Sequence, residues 1–364
     1  MKKILILSHT GEYSYFKIGS HHYANGLSNI YDVTYIGTPH TLLHKVLRKK
    51  VQGVSMLNKS VFCENLSFIL PVTIKYNSLF STINKVSHSL SRIFDEKKNY
   101  DVIICDYPFF SPYLDFFNYK KLIYRPTDVY AHMAGDKVHK YEKEIISKSD
   151  AVIGTSQEVI TYLIKNYSEL IRGKHPEIIQ NGYDHNMFSC GRNNEMRSGN
   201  VYIGALDYRF DFEMLKYLAG KFREDIFDIY GPIASQYISI TDEIKKEYKN
   251  INFKGSIDYA KVPNTLREYK IGLLLLNESP SNLGRSPMKI WEYAASGLQI
   301  LYTGARVKED YSFLFYYDKE NVEEKYLLAK NSKINERELE KIKKYSWENN
   351  VEKINVTIER LLHE

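Results

Sequence analysis

The chain has 364 residues, of which 43% are hydrophobic and 26% are charged, a composition typical of folded globular proteins and unlike that of disordered chains. This length suits two domains better than one. The net charge of +6 is too small for a nucleic-acid-binding surface, although it is compatible with phosphorylated substrates or an anionic membrane.

The chain begins with a short apolar run, Lys3–Leu7, which predicts a first β-strand because polar residues follow it directly. No stretch approaches the roughly 18 consecutive apolar residues of a membrane span. The three cysteines, Cys63, Cys105 and Cys190, lack Cys-x-x-Cys spacing, which favours a reducing compartment over structural zinc. We therefore expect a cytoplasmic protein, with any membrane contact peripheral.

Short β-branched runs alternate with longer helical patterns, an order typical of βαβ units and parallel sheets. The first series of predicted strands comprises Lys3–Leu7, Val33–Gly37, Asp101–Cys105, Leu122–Arg125, Ala151–Gly154 and Glu177–Gln180. The second series comprises Asn200–Gly204, Phe227–Gly231, Ile251–Gly255, Ile271–Leu276 and Leu298–Thr303. Two such series predict an α/β protein with two doubly wound domains, joined in the polar stretch Asn186–Gly199.

The segment His40–Met56 combines regularly spaced apolar residues with four cations, Lys45, Arg48, Lys49 and Lys50. This pattern predicts a basic amphipathic helix. Such a helix either lies on an anionic membrane or packs its apolar side on the protein core, and the pattern alone leaves both interpretations open.

The segment Arg285–Leu301 predicts a helix that is followed at once by a strand. Ser286 as N-cap and Pro287 at the first helical position would start the helix, and Gly297 would end it. The N–H groups at the start of such a helix can bind a pyrophosphate.

Lys289 and Glu292 are three residues apart and therefore share one face of this helix near its start. A cation there could neutralise the β-phosphate of a nucleoside diphosphate, and a carboxylate one turn further could accept the ribose hydroxyls. The same spacing also fits a surface ion pair worth about 0.2–0.5 kcal/mol.

The segment Pro287–Gly297 resembles the donor-binding helix of the GT-B glycosyltransferases, which carries the pattern Pro-x-Lys-x-x-Glu-Tyr-x-Ala-x-Gly. Further segments resemble that group in the expected order, namely Ile179–Asp184, Tyr202–Leu206, Ile229–Pro232, Phe253–Gly255 and Tyr345–Trp347. Three segments are most similar to the glucuronosyltransferases of xanthan assembly and their relatives in capsule and teichuronic acid synthesis: Tyr124–Asp128, Lys254–Ile257 and Ser286–Lys289.

This resemblance implies the GT-B fold, in which two Rossmann-like, doubly wound domains face each other across a cleft. The expected parts are an acceptor-binding domain at 1–188, a nucleotide-sugar-binding domain at 189–345, and a C-terminal helix at 346–364 that crosses back to the N-terminal domain. The last part is amphipathic, with Ser346 as its predicted N-cap and apolar residues repeating from Val351 to Leu362.

By the same resemblance, Lys289 and Met288 line the diphosphate and nucleotide pocket, while Ser256 and Ile257 flank a uracil base. The xanthan-assembly enzymes have an amide where this chain has Glu292, which agrees instead with the wider group, whose carboxylate binds ribose. Three further residues complete the predicted donor site, Ser286, Arg209 and Arg285. The two arginines could equally lie on the surface.

Asp128 follows the predicted strand Leu122–Arg125 at its carboxyl end, where α/β sheets bind ligands. The resemblance implies that it is the general base for the acceptor hydroxyl, whereas a helix cap is the common alternative for a loop aspartate. Retaining GT-B enzymes usually have an acid where this chain has Gly284, and a histidine where it has Thr127. Both departures favour inversion, although Glu278 could replace the missing acid after a loop insertion.

The acceptor is expected to face the first turn and the first helix, at His9, Gly19, Ser20, His21 and His22. Neither a Gly-x-Gly-x-x-Gly fingerprint nor an Asp-x-Asp pattern appears, which argues against a dinucleotide oxidoreductase and a metal-dependent GT-A transferase. Because cations and a helix start could stabilise the leaving group, we expect neither a metal nor a cofactor.

The sequence thus predicts transfer of a sugar, glucuronic acid or a hexose, from a UDP-sugar to a glycan or lipid-linked oligosaccharide in cell-surface polysaccharide synthesis. The expected partners are that donor and acceptor, with peripheral contact of residues 40–56 at the inner face of the plasma membrane and no nucleic acid. The alternatives are a retaining transferase, a sugar-nucleotide epimerase, an inactive GT-B partner subunit, and an adaptor acting only through residues 40–56.

Overall fold

The computed structural model of the chain describes residues 1–51, 53–72, 77–91, 96–189, 197–305 and 307–364. Contacts divide the chain into two units, one formed by Met1–Gln180 with Asn350–Glu364 and the other by Asn181–Asn349. Within the predicted linker 186–199, residues 190–196 lie outside the described part, and Cys190 lies there with them.

The strands of the first unit are β1 (Lys3–Leu7), β2 (Tyr13–Ser14), β3 (Asp32–Ile36), β4 (Val54–Ser55), β5 (Phe62–Cys63), β6 (Asn99–Cys105), β7 (Asn118–Tyr124), β8 (Ala151–Gly154) and β9 (Glu177–Ile178). Seven of them form a parallel sheet in the order β5-β3-β1-β6-β7-β8-β9. The other two, β2 and β4, pair with each other in the antiparallel sense.

The first unit contains the helices α1 (Gly19–Leu27), α2 (Leu42–Val46), α3 (Asn77–Ser91), α4 (Ala131–Ala134), α5 (His139–Lys148) and α6 (Gln157–Ile171), with 3-10 helices at Pro108–Phe116 and Gly135–Val138. The central strands β1, β6 and β7 end in runs of fully buried apolar residues. Such runs are expected where helices or loops cover a parallel sheet on both faces.

The second unit repeats this architecture with β10 (Asn200–Ile203), β11 (Phe227–Tyr230), β12 (Ile251–Gly255), β13 (Ile271–Leu274), β14 (Gln299–Tyr302) and β15 (Leu314–Tyr316). These strands form a parallel sheet in the order β12-β11-β10-β13-β14-β15. The helices are α7 (His185–Phe188), α8 (Phe212–Lys221), α9 (Ile238–Glu247), α10 (Val262–Leu266), α11 (Met288–Ala295), α12 (Val322–Asn331) and α13 (Glu336–Lys341), with 3-10 helices at Ser235–Tyr237, Tyr259–Lys261, Pro280–Asn282 and Ile342–Tyr345.

The last helix, α14 (Trp347–His363), ends in the first unit. Its predicted N-cap is confirmed, because the Ser346 hydroxyl accepts the Asn349 N–H at 3.2 Å. The predicted apolar stripe is buried except for Leu362, which is half-buried. The Tyr31 hydroxyl of the first unit lies 2.5 Å from Asn355 Oδ1. None of the described helices has the length and hydropathy of a transmembrane span.

The predicted architecture of two doubly wound parallel sheets is confirmed, and each predicted strand is present. Three strands have the predicted bounds, Lys3–Leu7, Ala151–Gly154 and Ile251–Gly255, and the others have shifted ends. The predicted helix over 40–56 is wrong in its extent, since α2 covers only Leu42–Val46. Arg48 and Gly53 adopt positive φ angles of 51° and 93°, which an α-helix cannot accommodate. The chain then joins β4 instead of continuing the helix.

Candidate functional site

In the second unit, the two central donor residues of the prediction lie where β10 ends and α11 begins. Lys289 lies half-buried in the first turn of α11, and Glu292, one turn further, is 7% exposed. The described contacts include no ion pair between them, and Glu292 is buried, so the alternative of a surface ion pair is wrong.

Two glycines leave space for the Lys289 side chain at the end of the sheet. A Cβ on Gly204, directly after β10, would lie 2.8 Å from Lys289 Cε. The neighbouring Gly231, directly after β11, has a φ of 145°, and a Cβ there would lie 1.7 Å from the Gly204 carbonyl oxygen. Because only glycine fits this close approach of two strand ends, the sequence keeps the carboxyl edge of the sheet open to the lysine.

Helix α11 begins at Met288, with Pro287 at the cap position and no side-chain cap. The predicted N-cap role of Ser286 is wrong, because its hydroxyl accepts the Asn181 backbone N–H at 2.9 Å instead. The Asn181 side-chain amide also donates to the Ser286 carbonyl oxygen at 3.0 Å. The first N–H groups of α11 thus lack a side-chain cap and are suited to an anionic ligand. Gly297 follows the helix with a φ of 82°, as its predicted role requires.

Positive charge is concentrated at the start of α11. Burial lowers the pKa of Lys289, the charge of Glu292 opposes this shift, and the nearby Arg209 and Arg285 lower the pKa further. Arg209 Nε donates to Asp207 Oδ1 at 2.8 Å, and Arg285 Nε donates to a backbone carbonyl at 3.0 Å. A bound diphosphate would supply the negative charge that stabilises three neighbouring cations.

Tyr259, which no sequence motif indicates, contacts the buried carboxylate. Its hydroxyl donates to Glu292 Oε1 at 3.1 Å. Burial raises the pKa of Glu292, whereas the charge of Lys289 and this hydrogen bond oppose that shift. Tyr259 also follows the predicted base-binding loop, in which Ser256 is exposed and Ile257 half-buried. One hydrogen bond therefore connects the loop to the candidate ribose ligand.

In the first unit, a buried ion pair lies at the carboxyl edge of the sheet. Asp106 directly follows β6 and Arg125 directly follows β7, and Arg125 Nε donates to Asp106 Oδ1 at 2.9 Å. The Tyr23 ring lies 4.7 Å from the guanidinium carbon. The sequence does not single out this pair, although Asp106 follows the predicted strand Asp101–Cys105 and Arg125 is the last residue of the predicted strand Leu122–Arg125. Because the register aligns Cys105 with Tyr124, the residues that follow lie side by side.

Asp128 lies half-buried beyond this pair. The Thr127 hydroxyl is 3.2 Å from Asp128 Oδ2 and 3.0 Å from the Tyr130 hydroxyl. Tyr130 donates in turn to the Asp106 carbonyl oxygen at 2.7 Å. A chain of hydroxyl groups thus connects the Asp128 carboxylate to the end of β6 and orients it there.

The predicted acceptor-side residues surround the start of α1. The Ser20 hydroxyl is 2.7 Å from the Ser8 hydroxyl. His21 Nδ1 accepts the Ile18 N–H at 3.2 Å, so its Nε2 donates to the Gly11 carbonyl at 2.9 Å. Burial lowers the pKa of His21 to about 4, despite the opposing hydrogen bond to Gly11. His21 is therefore neutral at physiological pH, and its hydrogen bond to Gly11 stabilises the first loop.

The remaining predicted acceptor residues lie close by in sequence. Gly19 is the buried first residue of α1, and burial also lowers the pKa of His22 far below its usual value. His9 is half-buried, with its ring centroid 6.0 Å from that of Tyr107. In the part of the chain that the structure describes, no group of three His, Cys, Asp or Glu side chains is arranged to hold a metal ion.

No family model matches the sequence. A curated relative, the provisionally named teichuronic acid biosynthesis glycosyltransferase TuaH of Bacillus subtilis strain 168, is 23% identical over 214 residues. The match covers 54% of this chain and 54% of that protein, so the chain spans about half the length of the relative.

Solved structures resemble the whole chain. They include sucrose-phosphate synthase of Thermosynechococcus elongatus, with a TM-score of 0.70, 13% identity and 100% of both chains covered. HepE of Anabaena, in complex with UDP and glucose, has a TM-score of 0.69 and 12% identity over 99% of this chain and 100% of that one. A glycosyltransferase of Rickettsia africae has a TM-score of 0.67 and 15% identity over 99% and 98%. With its two parallel, doubly wound sheets and returning C-terminal helix, the chain has the fold of the GT-B glycosyltransferases.

Proposed function

We propose that the chain is a glycosyltransferase that moves a sugar from a UDP-sugar to a hydroxyl group of a glycan or lipid-linked oligosaccharide in cell-surface polysaccharide synthesis. The observation that carries this proposal is the uncapped start of α11, where Lys289 lies one turn before the buried Glu292. The UDP bound in the Anabaena neighbour and the name of the Bacillus relative support the choice of donor and pathway.

In this proposal, the diphosphate of the donor binds at the first N–H groups of α11. Lys289 stabilises the negative charge that grows on the β-phosphate oxygen as the bond to the sugar breaks, because a fixed cation needs no reorganisation at that moment. Arg209 and Arg285 add positive charge nearby, and Met288 and Ser286 line the nucleotide. Glu292 accepts the ribose hydroxyls. Because the three cations and the helix start stabilise the charge of the leaving group, we expect donor binding to need no metal or cofactor.

Asp128 is the proposed general base. The acceptor hydroxyl attacks the anomeric carbon, its proton passes to the Asp128 carboxylate, and UDP leaves from the opposite side, which inverts the anomeric configuration. Two observations support inversion over retention. Gly284 provides no carboxylate, and Glu278 is exposed and pairs with Lys319 at 3.2 Å.

The acceptor side comprises the start of α1 and the first loop, with His9, Gly19, Ser20, His21 and His22. A lipid-linked acceptor would place the protein at the inner face of the plasma membrane, where the region 40–56 makes a peripheral contact. The transferred sugar is glucuronic acid or a hexose.

Release of UDP from UDP-glucose and UDP-glucuronic acid, with a lipid extract as the acceptor source, tests the proposal. Asp128→Asn removes the base and should slow release by about 10²–10⁴-fold. Lys289→Ala should slow it by about 10²–10³-fold, as loss of a charge-stabilising group does. Two substitutions of an exposed ion pair on α9 are the matched controls, Asp242→Asn and Lys245→Ala, and should leave the rate unchanged.

Three results would contradict the proposal. An Asp128→Asn enzyme with full activity would exclude Asp128 as the base, and conversion of the UDP-sugar without acceptor would indicate an epimerase. If both active-site variants supported polymer synthesis in cells as well as the wild type does, the chain would act as an inactive partner subunit. NMR of the anomeric proton of the product distinguishes inversion from retention.

A further inference from the structure

Helix α3 turns its polar side toward the protein and its apolar side outward. Among the residues of α3 whose burial is described, 79–91, the buried ones are polar, namely Ser81, Asn84 and His88. An apolar row is exposed instead, with Leu79 at 65%, Ile83 at 39%, Val86 at 57% and Leu90 at 65%. The spacing of four, three and four residues places this row, the α3 stripe, on one helix face. Surface helices ordinarily show the reverse arrangement.

Specific contacts fix this orientation of α3. Asn84 exchanges two hydrogen bonds with the backbone of Leu70, at 2.9 and 2.8 Å. The His88 ring centroid lies 4.3 Å from that of Phe116, and Ser87 donates to the Ser67 carbonyl at 3.1 Å. Rotating the helix to bury its stripe would break all of these contacts. The polar contacts therefore keep the apolar side of α3 exposed.

The sequence around α3 is strongly basic. Residues 33–94 contain eight lysines and arginines and a single acid, Glu64. Their net charge is therefore +7, whereas the whole chain carries +6. The rest of the chain is close to neutral at −1, so the positive charge of this protein belongs almost entirely to one stretch.

The basic α2 region, residues 42–51, comprises α2 and the residues after it and carries Lys45, Arg48, Lys49 and Lys50. It flanks the same segment as α3. The Leu42 and Leu43 N–H groups of α2 donate to the carbonyls of Phe68 and Ile69, each at 3.0 Å. Asn84 of α3 binds the next residue, Leu70. Both helices are thus attached to the strip 68–70, and α2 and the residues after it add further exposed apolar side chains: Leu42, Val46, Leu47 and Val51.

We propose that the α3 stripe and the basic α2 region together bind an anionic lipid surface. The stripe inserts between lipid chains, while the cations of the 45–50 region contact anionic headgroups. A second copy of the chain fits this surface less well, because two copies would bring like charges together. The inference rests on the proposed function, because that function supplies the membrane-bound acceptor. It differs in assigning the main apolar contact to α3 and not to residues 40–56.

Flotation of the full-length protein with vesicles tests this inference. Binding is expected to vesicles of phosphatidylcholine with phosphatidylglycerol and not to phosphatidylcholine alone, and to weaken as salt rises. Leu79→Ser with Val86→Ser should weaken binding at least about tenfold, and so should Lys49→Glu with Lys50→Glu. Leu327→Ser with Val356→Ser, at exposed apolar positions on other helices, is the matched control and should bind as the wild type does.

The inference is overturned if the wild type does not bind anionic vesicles, or if either the stripe variant or the charge variant binds them as the wild type does. It is also overturned if sedimentation velocity shows a stripe-dependent dimer that does not bind vesicles. The charge variant changes exposed residues only and remains informative if the stripe variant unfolds. UDP binding, measured without vesicles, reports on the donor site alone. Loss of vesicle binding with normal UDP binding therefore concerns this inference, and loss of UDP binding concerns the proposed function.

Discussion

At the scale of single residues, Tyr259 shows how one hydroxyl can set the chemistry of the candidate donor site. Glu292 is buried, and a buried carboxylate is stable only with hydrogen-bond donors or cations beside it. Tyr259 supplies a donor to Oε1, and the described contacts show no hydrogen bond to the other carboxylate oxygen, which suits ribose hydroxyls. The tyrosine thus positions Glu292 without needing to touch the nucleotide.

Tyr259→Phe removes this hydrogen bond and keeps the aromatic ring. We expect UDP affinity to fall by about tenfold, in keeping with the loss of a hydrogen bond to a charged group. The preference for UDP over 2′-deoxy-UDP should shrink as well, because Glu292 would no longer be held toward the ribose. Titration calorimetry with both nucleotides measures the two effects.

Tyr217→Phe is the matched control, because Tyr217 donates to the carboxylate of Glu323 at an exposed site. It should leave both affinities unchanged. An unchanged ratio of UDP to 2′-deoxy-UDP affinity in Tyr259→Phe would contradict the positioning role, whatever the absolute affinities.

A contact in the site can be predicted from the sequence when its two residues are close together along the chain. Lys289 and Glu292 are recognisable because helix geometry alone places them together. The Ser286 cap was wrong because Asn181, 105 residues away, occupies the hydroxyl. The contact of Tyr259 with Glu292 likewise spans 33 residues and carries no local signal.

At the scale of elements, burial decides which strands can be predicted. Inner strands such as β1 and β6 are apolar runs because the sheet is covered on both faces. The strands β2, β4, β5 and β15 were not predicted, because two or three residues each are too few for a pattern. The strand β9 is equally short, but it lies within the longer predicted run Glu177–Gln180. The predicted helix at 40–56 failed because apolar spacing does not reveal the positive φ angles of Arg48 and Gly53.

The start of α1 should be sensitive to acid through His21. Its pKa is near 6.5 in an unfolded chain and about 4 in the folded one, so only the unfolded state takes up a proton as the pH falls between these values. Protonation therefore favours unfolding, and the stability lost is about 3 kcal/mol at pH 4. Denaturant titrations at neutral and acid pH measure it.

His21→Gln keeps a donor and an acceptor but cannot titrate, so its free energy of unfolding should fall less on acidification than that of the wild type. His363→Gln, at an exposed position on α14, should instead follow the wild type. Equal acid sensitivity of His21→Gln and the wild type would contradict the buried, neutral state of this imidazole.

At the scale of the whole molecule, two units of the same design divide the chain, and the first is completed by residues 350–364. Composition and periodicity predict the two series of strands, but not that the last helix returns to the first unit. That expectation came only from the resemblance, since Tyr31 and its partner Asn355 are 324 residues apart. The concentration of charge at 33–94, by contrast, is visible in the sequence alone.

The central claim is that the second unit binds a uridine nucleotide at the start of α11. A thermal-shift screen with UDP, GDP, TDP and CMP tests it most directly, because a ligand that binds only the folded state raises the melting temperature. UDP should raise it by several degrees, more than the other nucleotides do, and the shift should disappear in Lys289→Ala but persist in Lys245→Ala. No response of the wild type to UDP, or an equal response in Lys289→Ala, would contradict the claim.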